Sequence, residues 1–499
     1  MAQGKKGTDK GLKFQFYTRD DEAVRQRLRA RDYDRAVTTG LGNLDLLFGF
    51  LHEVGFFGLF DFRPQMRRRV MIPLTCQLAA YSAKVILEMS SLNQVQVDLF
   101  RDRAVLEKIG FTGLQIENGF SERGEKRHLP FHVSTLGKML ADLTLEEIND
   151  LFARQFALLG KNRFVPTGVY ALDSSNLEVS PGSTYEDSGE VTRDGKKVCG
   201  YKLFVVKYVG SLRERKGPAP EIIVAAALVP INHNDSRSLV PLLEQAQKNI
   251  GPGKIKMAVI DRGFMGGENL WELKKRLGID FLIYSKRNMD VTDELRGRRA
   301  RARAQLAEGK KPKNAWCQKD GSAEFWGFNR LHWFWTYGNA AHRKQVAADL
   351  YRKDKQARTN TISGLVMTDE SGREITMLSS RRISNSFLPR DAFDCYRKRR
   401  RIENCGFREL KQGYKINKFP SRRFNGVFAH VMLTLLVFNF VNVFKTEAGD
   451  EMAQLGLRRL HQQMSWLGVI VYSAPYFGIL QADEILELVG APPRKRDPP

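Results

Sequence analysis

Cysteine is sparse in this chain. The five residues, Cys76, Cys199, Cys317, Cys395 and Cys405, are scattered through 499 positions, and none forms a C-x-x-C knuckle with a histidine pair beside it. That scatter excludes a disulfide framework and a zinc knuckle, and makes a reducing cytoplasm the expected compartment. Histidine is also scarce at eight residues, and His233 and His332 lack metal-ligand spacing. Long apolar runs are nearly missing. Val427–Phe444 is the one candidate for a membrane span, but it carries His430, Asn439 and Asn442. It lies at the short end of the roughly 17–25 residues a span needs, so a buried helix and no membrane are expected. The basic N-terminus (MAQGKKGTDKGLK) has no apolar core behind it, so a secretory signal is not expected. No internal repeat is visible, and no low-complexity tract beyond the termini.

Acid is in deficit. Lys and Arg total 80 against 56 Asp and Glu, a formal charge of +24. Such an excess concentrates a polyanion near the chain and speeds encounter with it. Nucleic acid is therefore favoured over a small substrate as partner, without an activity being specified.

The pattern along the chain predicts an α/β protein in six stretches. Residues 1–20 are polar, basic and expected to be disordered. Residues 21–160 read as a helical DNA-binding region, with cations at Arg67–Arg69 and Arg123–Arg127. Leu145–Leu159 shows a period close to 3.6, and Thr144 with Glu147 makes a capping box at its start. Residues 161–289 change period. Strands are expected at Val165–Asp173, Tyr201–Val209, Glu221–Ile231, Lys254–Asp261 and Ile279–Ser285, with helices near His233–Asn249 and over Gly267–Gly278. Such an order predicts a mixed sheet flanked by helices. Residues 290–390 open with a basic helix and turn aromatic, a β-rich insertion. Residues 391–447 resume as helices, and 448–499 form a helical region with a disordered Pro-rich tail.

Three carboxylates stand where chemistry can use them. Asp173 closes one strand-like run (VYALDSSNLE), Asp261 closes another (AVIDRGF), and Glu403 sits in a basic helical segment (YRKRRRIENCGFRELK). Acids on neighbouring strands can converge despite their distance in sequence. Two metals about 3.5–4 Å apart activate the nucleophile and stabilise the leaving oxygen in phosphodiester chemistry. Mg²⁺ takes hard oxygen ligands and few carboxylates. Each acid alone is ordinary: an Asp ending a strand is commonly a turn or cap residue, and Glu403 can pair with Arg399 at helical spacing. The combination carries the reading. Ser174 and Ser175 have no base beside them and are expected to hydrogen-bond near the acid.

The wording of these segments resembles the DDE transposases of the insertion-sequence-4 type found in bacteria. The resemblance runs from about Phe164 to Phe444. It rests on the LDSS-x-L run at Asp173, D-R-G-F at Asp261, and Tyr396, Arg399, Glu403 and Lys411 in a Y-x-x-R-x-x-x-E…K signature. It implies a ribonuclease-H-like catalytic core with a β-rich insertion before the last acid. It also implies catalysis and metal binding by Asp173, Asp261 and Glu403, with two Mg²⁺ ions and Mn²⁺ as a substitute. Tyr396, Arg399 and Lys411 are implied to contact the terminal phosphates. Arg400, Arg408, Arg262 and Trp333 are further expected to contact DNA. One departure is visible: the family pattern has six residues between Glu and Lys, whereas here there are seven, Asn404–Leu410. Tyr396, Arg399 and Glu403 share a helix face, but an unbroken α-helix would turn Lys411 about 80° off it. Either a π-bulge near Cys405-Gly406 absorbs the extra residue, or Arg408 or Lys411 reaches the phosphate differently; the bulge is the expectation.

The expected activity is metal-dependent cleavage of transposon ends and strand transfer by a cut-and-paste route. Double-stranded DNA is the partner, both terminal inverted repeats and target, in a homodimer or higher oligomer. A hairpin on the excised end is possible by family analogy alone. The alternatives are a metal-dependent nuclease on the same core, and a non-catalytic DNA-binding protein derived from a transposase.

Overall fold

The computed structural model describes residues 12–14, 17–61, 72–120, 129–180, 182–212, 219–337 and 360–490. The cationic clusters Arg67–Arg69 and Arg123–Arg127 and the Pro-rich tail lie outside the described residues. The chain divides into two compact units, Met1–Asn162 with Glu409–Pro499, and Arg163–Arg408.

In the first unit helices dominate. Leu145–Lys161 is a helix whose Thr144–Glu147 capping box forms as its sequence dictates, with the Thr144 hydroxyl accepting from the Glu147 N–H at 3.2 Å. The apolar run lies in a helix, Phe424–Glu447, that is long and apolar enough to cross a membrane, and its apolar window is buried within the protein. Its polar residues are satisfied there. His430 bonds the Tyr81 hydroxyl at 2.8 Å and the Ile416 carbonyl at 3.1 Å, and Asn439 donates to Gln155 at 2.9 Å. Buried polar groups without such partners would be costly.

The helical pattern expected for 21–160 is interrupted by a strand. β1 (Thr18–Arg19) and β2 (Arg35–Thr39) join β13 (Gly468–Ser473) and β14 (Tyr476–Leu480) in a sheet of order β1-β14-β13-β2. β2 is short, and its partner comes from the far end of the chain, so nothing local announces it. The two-residue Ala-Pro link between β13 and β14 makes the hairpin that β2 completes.

The second unit is built on one mixed sheet. In chain order its strands are β3 (Gly168–Val179), β4 (Gly189–Arg193), β5 (Lys196–Gly210), β6 (Ile223–Pro230), β7 (Ile255–Ile260) and β8 (Asp280–Tyr284). β9 (Ala315–Asp320), β10 (Ala323–His332), β11 (Thr361–Thr368) and β12 (Glu374–Ser379) follow. The spatial order is β4-β5-β3-β7-β8-β12-β11-β10-β9, with β6 beside β4 on the outer edge of β5. β3 runs parallel to β7, and β7 to β8; every other pairing is antiparallel. β5 is buried over most of its length, as a central strand covered on both faces must be. Helix Leu239–Ile250 packs against β5 and β6, and helix Gly267–Lys275 against β8 and the first helix.

The strands of the insertion extend this sheet, since β12 pairs with β8. Helix Asp290–Ala307 lies on β10 and β11. Gly364 of β11 admits it: a Cβ there would stand 2.3 Å from Leu295 and 2.4 Å from Leu331. Trp333 at the end of this region is 2 % exposed and packed edge-on by Trp271 and Phe281. Its indole N–H donates to the Gly267 carbonyl at 3.3 Å. Trp333 was expected at DNA; in this fold no face of its ring is open to a base, because the ring fills the core beneath β8.

Candidate active site

Strand register brings the first two acids together. Leu172 of β3 opposes Ile260 of the parallel β7, so the next residue on each strand is an aspartate. Side chains alternate along strands, which sends Asp173 and Asp261 off the same side. Asp173 does not close its strand, as the sequence pattern suggested; β3 runs on to Val179 because β5 continues to pair with it. β7 does end at Ile260, and Asp261 caps the short turn Arg262–Phe264 by accepting from the Gly263 N–H at 3.1 Å.

Glu403 arrives from the segment after the insertion. Helix Pro389–Arg397 is held on the sheet by Tyr396, whose hydroxyl donates to the Ile260 carbonyl at 3.1 Å and whose ring stacks on Tyr284 at 4.0 Å. Lys398 donates to the Ser211 carbonyl at 2.6 Å. Arg401 reaches Glu221 at 2.7 Å, and Glu221 in turn pairs with Lys207, a β5 residue with no exposed surface. Burial alone would raise the Glu221 pKa, but Lys207 and Arg401 outweigh it and hold the carboxyl below its ordinary range. From Glu403 to Phe407 the backbone forms a π-helix, with the Arg408 N–H bonding the Glu403 carbonyl. The turn falls where the seven-residue spacing to Lys411 requires an extra residue to be absorbed.

One guanidinium meets all three acids. Arg399 Nη1 pairs with Asp173 and lies 3.5 Å from Asp261, while Nη2 lies 3.1 Å from Glu403. Asp173 is 8 % exposed; burial pushes its pKa up to about 6, and the charges of Asp261 and Glu403 add to the rise that Arg399 and the Ser174 N–H oppose. Burial would lower the Arg399 pKa, yet the carboxylates around it hold it above its ordinary value. A fourth carboxylate flanks the site. Asp235, held by Lys202 at 2.7 Å, and Asp261 both crowd Gly263: a Cβ there would stand 3.2 Å from the Asp235 carboxylate and 3.5 Å from that of Asp261.

The donor chemistry suits a divalent metal: three carboxylates offer hard oxygens, and a cation already sits among them. As the side chains stand, no three His, Cys, Asp or Glu residues among those described form a group that could hold a metal ion. Of the residues expected at DNA, Arg262, Arg400 and Arg408 are exposed. Tyr396, at 3 % exposure, is buried with its hydroxyl engaged, and Lys411 lies in helix Arg408–Gln412, at the start of the other unit's second segment. Sequence reasoning missed Lys207, Glu221, Tyr284, Lys202 and Asp235. Only a lysine inside the apolar run YKLFVVKYV hinted at the buried pair.

A family model described as "Transposase DDE domain" matches residues 166–440. No curated protein matches the chain. Among solved structures, a piggyBac transposase synaptic complex with hairpin DNA aligns over 93 % of this chain and 86 % of that one, at 12 % identity and a TM-score of 0.38, too low to carry an argument. The family match covers more than half of the chain and contains Asp173, Asp261 and Glu403. The chain belongs to the DDE transposase family, enzymes that cleave DNA and transfer its strands.

Proposed function

We propose that this chain is a cut-and-paste transposase of the insertion-sequence-4 type, acting on the ends of its own element. The observation that carries this reading is the convergence of three carboxylates, far apart in sequence, on a single guanidinium within the family's matched region. The order β6-β5-β3-β7-β8, antiparallel among the first three strands and parallel among the last three, supports a ribonuclease-H-like core.

DDE transposases generally use divalent metals. Asp173, Asp261 and Glu403 are the residues that would hold two Mg²⁺ ions, with Mn²⁺ as a substitute. When bound, such ions activate an attacking oxygen and stabilise the leaving one. The chain's own contribution is position. β3 and β7 fix two acids side by side, Tyr396 and Lys398 fasten the helix that delivers the third, and the buried Lys207–Glu221 pair anchors Arg401 two residues before it. The exposed Arg262, Arg400 and Arg408 offer forks that match phosphate oxygens. Tyr396 acts here as a positioning residue. Residues 21–160 would read the terminal inverted repeats, and two or more copies would hold both ends with the target DNA.

The test is incubation of the protein with labelled end DNA and a target plasmid in Mg²⁺. Cleavage followed by joining is expected, with both lost in Asp173→Ala, Asp261→Ala and Glu403→Ala. Cleavage without joining would identify a nuclease on the same core. Binding without cleavage in Mg²⁺ or Mn²⁺ would identify a non-catalytic DNA-binding protein.

A further inference from the structure

We propose that Arg399 is a built-in placeholder for the metal: its guanidinium lies among the three carboxylates, and it must withdraw before a divalent cation can load. The inference rests on the reading that Asp173, Asp261 and Glu403 are the metal-binding residues.

Three observations carry it. The guanidinium is the shared partner of all three acids, through both of its terminal nitrogens. It is mostly shielded from solvent, as is Asp173, so these pairings are more than a loose surface contact. As arranged, no three His, Cys, Asp or Glu side chains among the described residues form a group that could hold a metal ion. Geometry explains the third observation. Mg²⁺ binds oxygens at about 2.0–2.1 Å in an octahedron, whereas an N–H···O contact needs roughly 2.7–3.2 Å and a guanidinium spreads its donors over a plane. Carboxylates set for the larger, flat cation cannot close on the smaller, spherical one while the first remains. A guanidinium stays charged at any accessible pH, so it cannot yield by losing a proton. It also repels an incoming dication. Its only way to yield is to move, and the half-exposed Glu403 side of the site is open to solvent. The arrangement keeps the acids together without a metal, and it makes metal affinity the outcome of a competition inside the protein.

The competition has a sign that a purely structural arginine lacks. The full-length, EDTA-stripped protein is titrated with Mn²⁺, and free Mn²⁺ is followed by electron paramagnetic resonance, for wild type, Arg399→Gln and Arg399→Lys. Arg399→Gln should bind Mn²⁺ about tenfold more tightly than wild type. Arg399→Lys, which keeps the charge but not the fork, should fall between them. Adding Asp173→Asn to Arg399→Gln should cancel the gain. Equal or weaker binding by Arg399→Gln and Arg399→Lys, with wild type binding normally, overturns the placeholder and leaves the metal site standing. No Mn²⁺ binding by wild type or either variant at millimolar concentration overturns both. Should Arg399→Gln fold only when Mn²⁺ is supplied, the placeholder is supported, since one cation then replaces the other.

Discussion

Replacing Glu221 by Gln tests how the third acid is held in place. Lys207 has no exposed surface, and Glu221 is its only ion-pair partner among the described residues. The substitution leaves a buried ammonium facing a neutral amide. Breaking a buried pair from one side costs about 3–5 kcal/mol, and because the Gln oxygen still accepts one hydrogen bond, the lower end, about 3 kcal/mol, is expected. Arg401 is half exposed and adds at most about 1 kcal/mol. With a urea slope of about 3 kcal/mol/M, the midpoint should fall by roughly 1 M. The double variant Lys207→Met/Glu221→Leu removes both charges and should return to within about 1 kcal/mol of wild type, because the cost lies in the orphaned charge rather than in the pair. Glu221 sits below its ordinary pKa, so its stabilisation is complete above the ordinary carboxylate range and lost as pH falls through the lowered value. The gap between wild type and Glu221→Gln should therefore close in acid. End cleavage by Glu221→Gln should drop severalfold, since Arg401 stands two residues before Glu403. A midpoint shift under about 0.3 M, or a double variant as unstable as the single one, would refute the reasoning.

The other expectations concern the sheet and the acids on it. Tyr396→Phe removes the hydroxyl bond to the Ile260 carbonyl and should cost about 1 kcal/mol in urea unfolding while DNA affinity stays within about twofold; a large affinity loss with unchanged stability would instead make Tyr396 a phosphate contact. Gly364→Ala drives a methyl into Leu295 and Leu331 and should cost about 1–3 kcal/mol, read as a lowered unfolding midpoint; an unchanged midpoint would mean the helix over β11 shifts freely. In EDTA, Asp173 with its pKa near 6 binds more protons folded than unfolded between its ordinary value of 3.8 and that figure. Stability should thus fall as pH rises through this window, by up to about 3 kcal/mol, and Asp173→Asn should flatten the slope. Parallel slopes for the two proteins would contradict the raised pKa.

Several features of the second unit were legible in the sequence because they are local. The run YKLFVVKYV is too continuously apolar for a half-exposed strand, and it becomes the buried β5. The seven residues between Glu403 and Lys411 do not fit an α-helical face, and the backbone inserts a π-turn there. The place of Trp333 is not legible in the sequence, because an aromatic at strand spacing looks the same whether its ring meets a base or Trp271. The sheet that joins β2 to β13 was invisible because its partners are short and come from opposite ends of the chain.

By itself, the amino-acid sequence determined which side chains can do chemistry, the strands and helices that carry them, and a charge that draws nucleic acid, since all of these depend on residue type and short-range spacing. Only the tertiary structure decided that β3 and β7 align in the register that sets Asp173 beside Asp261, that Lys207 finds Glu221, and that Arg399 lies among three acids. Those outcomes depend on which distant backbones pair and which buried charges must be neutralised, a choice made by the packing of the whole unit.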